Sequence, residues 1–153
     1  MQRISDAASV FVKLTNVTSL KFTAASNRDT GWIGTGVGTV NVVSPADGSL
    51  IFEEFGTWTN QENLPLRFHN TFRWSRLNDK ALRLEHLRLG LDQPVHLFDL
   101  RWQTNSLLAT SQPHVCGSDL YSANLRILGS EIFLDWTVTG PRKDEKINYV
   151  YSL

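Results

Sequence analysis

The chain has 153 residues, 41% of them hydrophobic and 10% aromatic, which is the size and composition of one globular domain rather than of a disordered segment. Its Lys and Arg number 15 and its Asp and Glu 15, so a strongly basic nucleic-acid binder and an acidic tail drop out of the leading readings. The only cysteine is Cys116, which excludes an intrachain disulfide and fits a reducing, cytoplasmic setting.

The first fifteen residues carry no apolar run of secretory length and no small-residue cleavage site. No stretch approaches about 18 consecutive apolar residues, so no membrane span is expected. One helix is expected, over residues 5–14. Ser5 is its N-cap, Asp6 complements its N-terminus, and Ala7, Val10, Phe11 and Leu14 fall at helical spacing.

Period two dominates from there on. The runs are Val17–Ala24, Trp32–Val43, Leu50–Trp58, Arg67–Leu77, Ala81–Leu89, Val95–Trp102, Leu107–His114, Asp119–Leu128, Ile132–Thr139 and Ile147–Leu153. Turn chemistry separates them, at Asn27-Arg28-Asp29, Pro45-Ala46-Asp47-Gly48, Asn78-Asp79, Asp92-Gln93-Pro94, Gly129-Ser130 and Gly140-Pro141. About ten short strands at even spacing predict an all-β, antiparallel up-and-down β-barrel with one short N-terminal helix, residues 1–153 forming a single domain. Closure removes the edge-strand hazard. A ten-strand sandwich has the same period.

Four features bear on function. Gly34, Gly36 and Gly38 share one strand face, which predicts either strong bending or a wall kept clear for a ligand. Glu54 shares a face with Leu50, Phe52 and Trp58, so its carboxylate points inward and needs a partner. Arg73, Arg76, Arg83 and Lys143 are the candidates, and the role is an internal ion pair, a polar anchor for a ligand, or a catalytic acid or base. Phe52, Trp58, Phe68, Phe72, Trp74, Phe98, Trp102 and Trp136 fall on apolar strand faces, and a barrel this wide can retain a cavity behind such walls. His96 falls on the same face as Phe98, Leu100 and Trp102.

The densest set of chemically active side chains is His114, Cys116, Asp119 and Tyr121. It reads as a hydrogen-bonded corner, or as a site using acid–base or thiol chemistry. Four histidines without HxxxH or paired CxxC spacing predict no metal site. Near the C-terminus, Arg142, Lys143 and Lys146 form a small basic loop beside Asp144 and Glu145, read either as a solvated turn or as a mouth loop attracting an anionic group.

The order Leu50-x-Phe-x-Glu-x-Gly-x-Trp58, Phe72-x-Trp74, Leu97-x-Asp-Leu100, His114-x-Cys-x-x-Asp-x-Tyr121 and Trp136-x-Val-x-Gly-Pro-x-Lys143 resembles the small bacterial proteins grouped as domain of unknown function 6314. The resemblance runs from about residue 32 to the C-terminus. It implies a single calycin- or lipocalin-like barrel and no established activity, substrate or cofactor. It carries over Glu54, Phe72, Trp74, Asp99, His114, Cys116, Asp119, Tyr121, Trp136 and Lys143 as matching positions. The chain departs from the pattern at Ser19–Phe22, where a Trp and an Arg are expected, and at Asn70, where an Arg is expected.

The leading expectation is a cytoplasmic binding module that encloses a small, largely apolar molecule. Its ligand-binding candidates are Glu54, Asn70, Phe72, Trp74, His96, His114, Cys116, Asp119, Tyr121, Trp136 and Lys143. The competing expectations are an enzyme using the His114/Cys116/Asp119/Tyr121 corner and a filled barrel that binds a protein. Cofactor and catalytic residues stay unassigned, no nucleic acid or membrane partner is expected, and a homodimer is left open.

Overall fold

The structure, a computed structural model, describes residues 7–27, 33–60, 62–104, 107–110 and 112–153. Ser5, Asp6, Arg28, Asp29 and Trp32, which enter the expectations above, lie outside the described residues. The helix α1 spans Ala7–Thr15. The strands are β1 (Ser19–Ser26), β2 (Gly34–Val43), β3 (Leu50–Asn60), β4 (Pro65–Asn78), β5 (Ala81–His86), β6 (Val95–Thr104), β7 (Leu107–Ala109), β8 (His114–Cys116), β9 (Asp119–Leu128), β10 (Glu131–Thr139) and β11 (Asp144–Ser152).

Every strand pairing is antiparallel, and β1 pairs with β11 along its whole length, so the sheet closes into a barrel. The expected run 107–114 is two strands, β7 and β8. Both pair with β9, at 124–126 and at 119–121, so they occupy one position in a ten-position ring. Pro113 stands between them, and a proline has no N–H to give a ladder.

The hairpins follow their turn residues. Gly117-Ser118 joins β8 to β9 and Gly129-Ser130 joins β9 to β10, each a two-residue loop. The glycines have φ of 64° and 60°, which the first position of such a loop requires and which glycine adopts without steric cost.

The helix closes one end of the barrel. Val10 and Leu14 are fully buried, in one core with Leu20, Leu50, Trp74 and Ile132. The Arg76 guanidinium lies over the Phe11 ring at 5.9 Å, and Lys13 Nζ donates to the Gly129 carbonyl at the same end. Two side-chain bonds finish the last turn, from Thr15 to the Phe11 carbonyl and from Asn16 to the Val12 carbonyl.

The inward row of β2 explains its glycines. A Cβ on Gly36 would stand inside the Phe22 ring, and a Cβ on Gly38 would meet the Phe55 carbonyl. The glycine face is therefore filled by an aromatic ring and a neighbouring backbone. Close approach of that ring and that backbone is the reason these positions take no side chain.

Candidate ligand-binding cavity

At the end opposite α1 the described residues enclose a cavity. Inward side chains of β1, β4, β10 and β11, with two residues from the end of β5 and beyond it, surround a cavity of about 360 Å³. Phe22, Ala24, Phe68, Phe72, Trp136, Ile147 and Tyr149 form its apolar wall, and Asn70, His86 and Arg88 are its polar members. The wall is braced ring on ring. Phe22 meets Phe68 edge-on at 5.3 Å and Tyr149 at 5.5 Å, and Phe72 stacks on His86 at 4.8 Å.

A second recess of about 470 Å³ adjoins it at the rim. His86, Arg88, Trp136 and Ile147 line both spaces. The outer recess adds Val95, Leu97, Tyr121, Val138, Arg142, Lys143 and Glu145. The result is a cup, apolar inside and polar at its lip.

Beneath Tyr149 lies the buried acid. Glu54 is fully enclosed, and its Oε2 accepts a 2.6 Å hydrogen bond from the Tyr151 hydroxyl. Tyr149 stacks on Tyr151 at 5.3 Å, and its hydroxyl also interacts with the carboxyl. Burial pushes the Glu54 pKa up to about 8, against the opposing pull of the two tyrosines, so the group is a neutral carboxylic acid at pH 7. Burial likewise raises both tyrosines well above their ordinary range, reinforced by the nearby acid.

The inward position of Glu54 agrees with the face read from the sequence, but the predicted basic partner is a correction. Arg73 pairs with Glu85 at 3.0 Å, Arg83 with Asp99 at 2.8 Å, and Lys143 with Asp119 at 3.6 Å, while Arg76 covers Phe11. A desolvated charge pair costs more than a neutral acid bonded to hydroxyls, so protonation replaces pairing.

His96 is a second correction. The register between β5 and β6 runs Leu84↔Phe98 and then Glu85↔His96, so one residue is inserted at this point. That bulge turns His96 away from the face of Phe98 and Leu100 and onto the outer face with Glu85. There its Nε2 lies 2.9 Å from Asp99 Oδ1, and its ring meets that of His114 at 3.9 Å. Burial opposes ionisation of Asp99, but the bonds from Arg83 and His96 outweigh it and hold the carboxyl below its usual range. For His114 burial leads, with help from His96, in lowering the imidazole pKa.

The other candidates separate. Asn70, Phe72 and Trp136 line the cavity, and Tyr121 and Lys143 line the rim. Asn70 stands opposite Glu54 in the β3–β4 register. Trp74 lies deeper, nearly inaccessible, with its ring edge-on to Phe52. Cys116 pairs with Asp119 across the β8–β9 hairpin, and its thiol is half-buried. Of the His114, Cys116, Asp119 and Tyr121 set, Tyr121 is the member that lines the recess. Among the described residues no three His, Cys, Asp or Glu side chains converge closely enough to hold a metal ion, and no helix is long and apolar enough to cross a membrane.

Sequence reasoning missed Tyr149, Tyr151, His86 and Arg88. The tyrosines were signalled by the inward row Ile147, Tyr149, Tyr151, together with the need of Glu54 for a buried donor. His86 and Arg88 continue the row of Leu82 and Leu84 in the expected run 81–89, although the strand itself ends at His86.

Three buried polar atoms lack a hydrogen-bond partner among the described residues: Glu54 Oε1, Trp74 Nε1 and Trp136 Nε1. The Trp136 indole belongs to the wall shared by cavity and rim, and the Glu54 acid lies under its floor. No curated protein matches the chain. A model of a family of unknown function, DUF6314, matches residues 21–153, and the chain belongs to that family.

Proposed function

We propose that this barrel is a binding module that holds a small, largely apolar molecule in the cavity at the end opposite α1. The observation that carries the reading is the 360 Å³ cavity walled by Phe22, Phe68, Phe72, Trp136, Ile147 and Tyr149, with Asn70, His86 and Arg88 as its few polar groups. Pockets for small molecules run from roughly 300 to 1,000 Å³ and combine apolar walls with a few orienting polar groups. The helix seals the opposite end, so a guest enters and leaves by the rim.

An apolar fluorophore tests this. N-Phenyl-1-naphthylamine brightens when it leaves water, and a single saturable enhancement is the expected result. Ala24 lines the cavity, and Ala24→Trp fills it. A folded Ala24→Trp variant that no longer brightens the dye supports the reading. Absence of enhancement in the unaltered protein, or equal enhancement in both, rejects it.

A further inference from the structure

We infer that the guest is an amphipathic anion, its apolar body in the cavity and its acid group at Arg88. The inference rests on the binding reading above and adds the class of ligand. The lip of the cup carries Arg88, Arg142 and Lys143 with two acids, Glu145 in the lining and Asp119 at Lys143. This excess is local, since the chain as a whole has no net charge.

Arg88 has the decisive position. It lines the apolar cavity and the outer recess alike. Lys143 is already engaged by Asp119 at 3.6 Å, whereas no ion pair joins Arg88 to a carboxylate among the described residues. Its backbone lies just beyond β5, and the residue is exposed to solvent while it lines both spaces. A guanidinium offers five donors in a fixed fork, suited to a carboxylate or a phosphate. Neighbouring His86 is held neutral by burial and by Arg88 itself, and Tyr121 presents a hydroxyl on the same rim. A group placed there meets one strong cation and neutral hydrogen-bonding partners. The interior offers aromatic rings and the Asn70 amide instead, so the charged end of a guest is favoured at the lip and disfavoured inside.

The test uses three probes with one apolar body: decanoate, decanol and decylamine at pH 7, titrated by calorimetry against the whole chain. Decanoate should bind about tenfold more tightly than decanol, equivalent to about 1.4 kcal/mol, and decylamine more weakly than either. Arg88→Gln should bring decanoate to the level of decanol and leave decanol within about twofold, a pattern set by one charge-assisted bond at a screened rim. Decyl phosphate, run alongside, distinguishes a phosphate head from a carboxylate. Equal binding of decanoate and decanol, or an Arg88→Gln variant that weakens both alike, overturns the inference while leaving the binding module intact. Failure of all three probes overturns the module as well.

Discussion

The Tyr151 hydroxyl donates to Glu54 Oε2 at 2.6 Å across 97 residues of sequence. The bond lies under the floor of the cup and takes the place of the ion pair that an inward carboxylate would otherwise need. It ties β3 to β11, two strands separated by β1 and β2 around the ring. The acid is thus a fastening of the barrel beneath its cavity.

Glu54 makes stability depend on pH. Its pKa is raised from 4.5 to about 8, so between those values the folded chain holds a proton that the unfolded chain has released. Stability from this group therefore falls as pH rises through that window, by at most about 1.4 kcal/mol per pH unit. Denaturant unfolding at pH 5 and pH 8 measures the drop. Glu54→Gln, neutral at both, should flatten it. An unchanged slope in the variant contradicts the assignment.

Tyr151→Phe removes the donor and leaves the acid in place. A buried acceptor without a partner costs about 1–3 kcal/mol, and urea midpoints should fall accordingly. The double variant Tyr151→Phe with Glu54→Gln should lose less than the sum of its parts, because the two groups share one interaction. Strict additivity would show that the bond contributes nothing.

Gly36 has no room for a side chain because the Phe22 ring occupies the space. Gly36→Ala should destabilise the barrel by about 1–3 kcal/mol through overpacking. Adding Phe22→Leu should recover part of that loss, read as a thermal midpoint. If Gly36→Ala is neutral, the ring does not sit against the strand as described.

On the outer face, Asp99 joins Arg83 and His96 at about one-third exposure. Half-solvated pairs of this kind contribute roughly 0–1 kcal/mol. Asp99→Asn should shift stability within that range and leave uptake of the apolar dye unchanged. A loss of dye binding would place His96 and Asp99 back at the site.

The sequence carries most of the barrel and half of the cup. Alternation is a local property, so the strands, the inward face of Glu54 and the aromatic wall were legible. Long-range pairing is not local: Tyr151 reaches Glu54 only because β1 and β11 close the ring. A single inserted residue opposite Glu85 reverses the face of His96, and period two cannot register it. Likewise, the expected run 107–114 takes in β7 and the first residue of β8, although the two strands pair with different parts of β9. Arg88 falls on the row of Leu82, Leu84 and His86 in the expected run 81–89, but an arginine on that row gave no sign of a cavity because the strand stops at His86.

The most direct measurement is native mass spectrometry with a UV–visible spectrum on protein purified gently from its own host. The account predicts a reproducible extra mass, released on denaturation, that extracts into organic solvent as an acid. A clean apo mass in the unaltered chain, together with no uptake of decanoate or decanol, would contradict it.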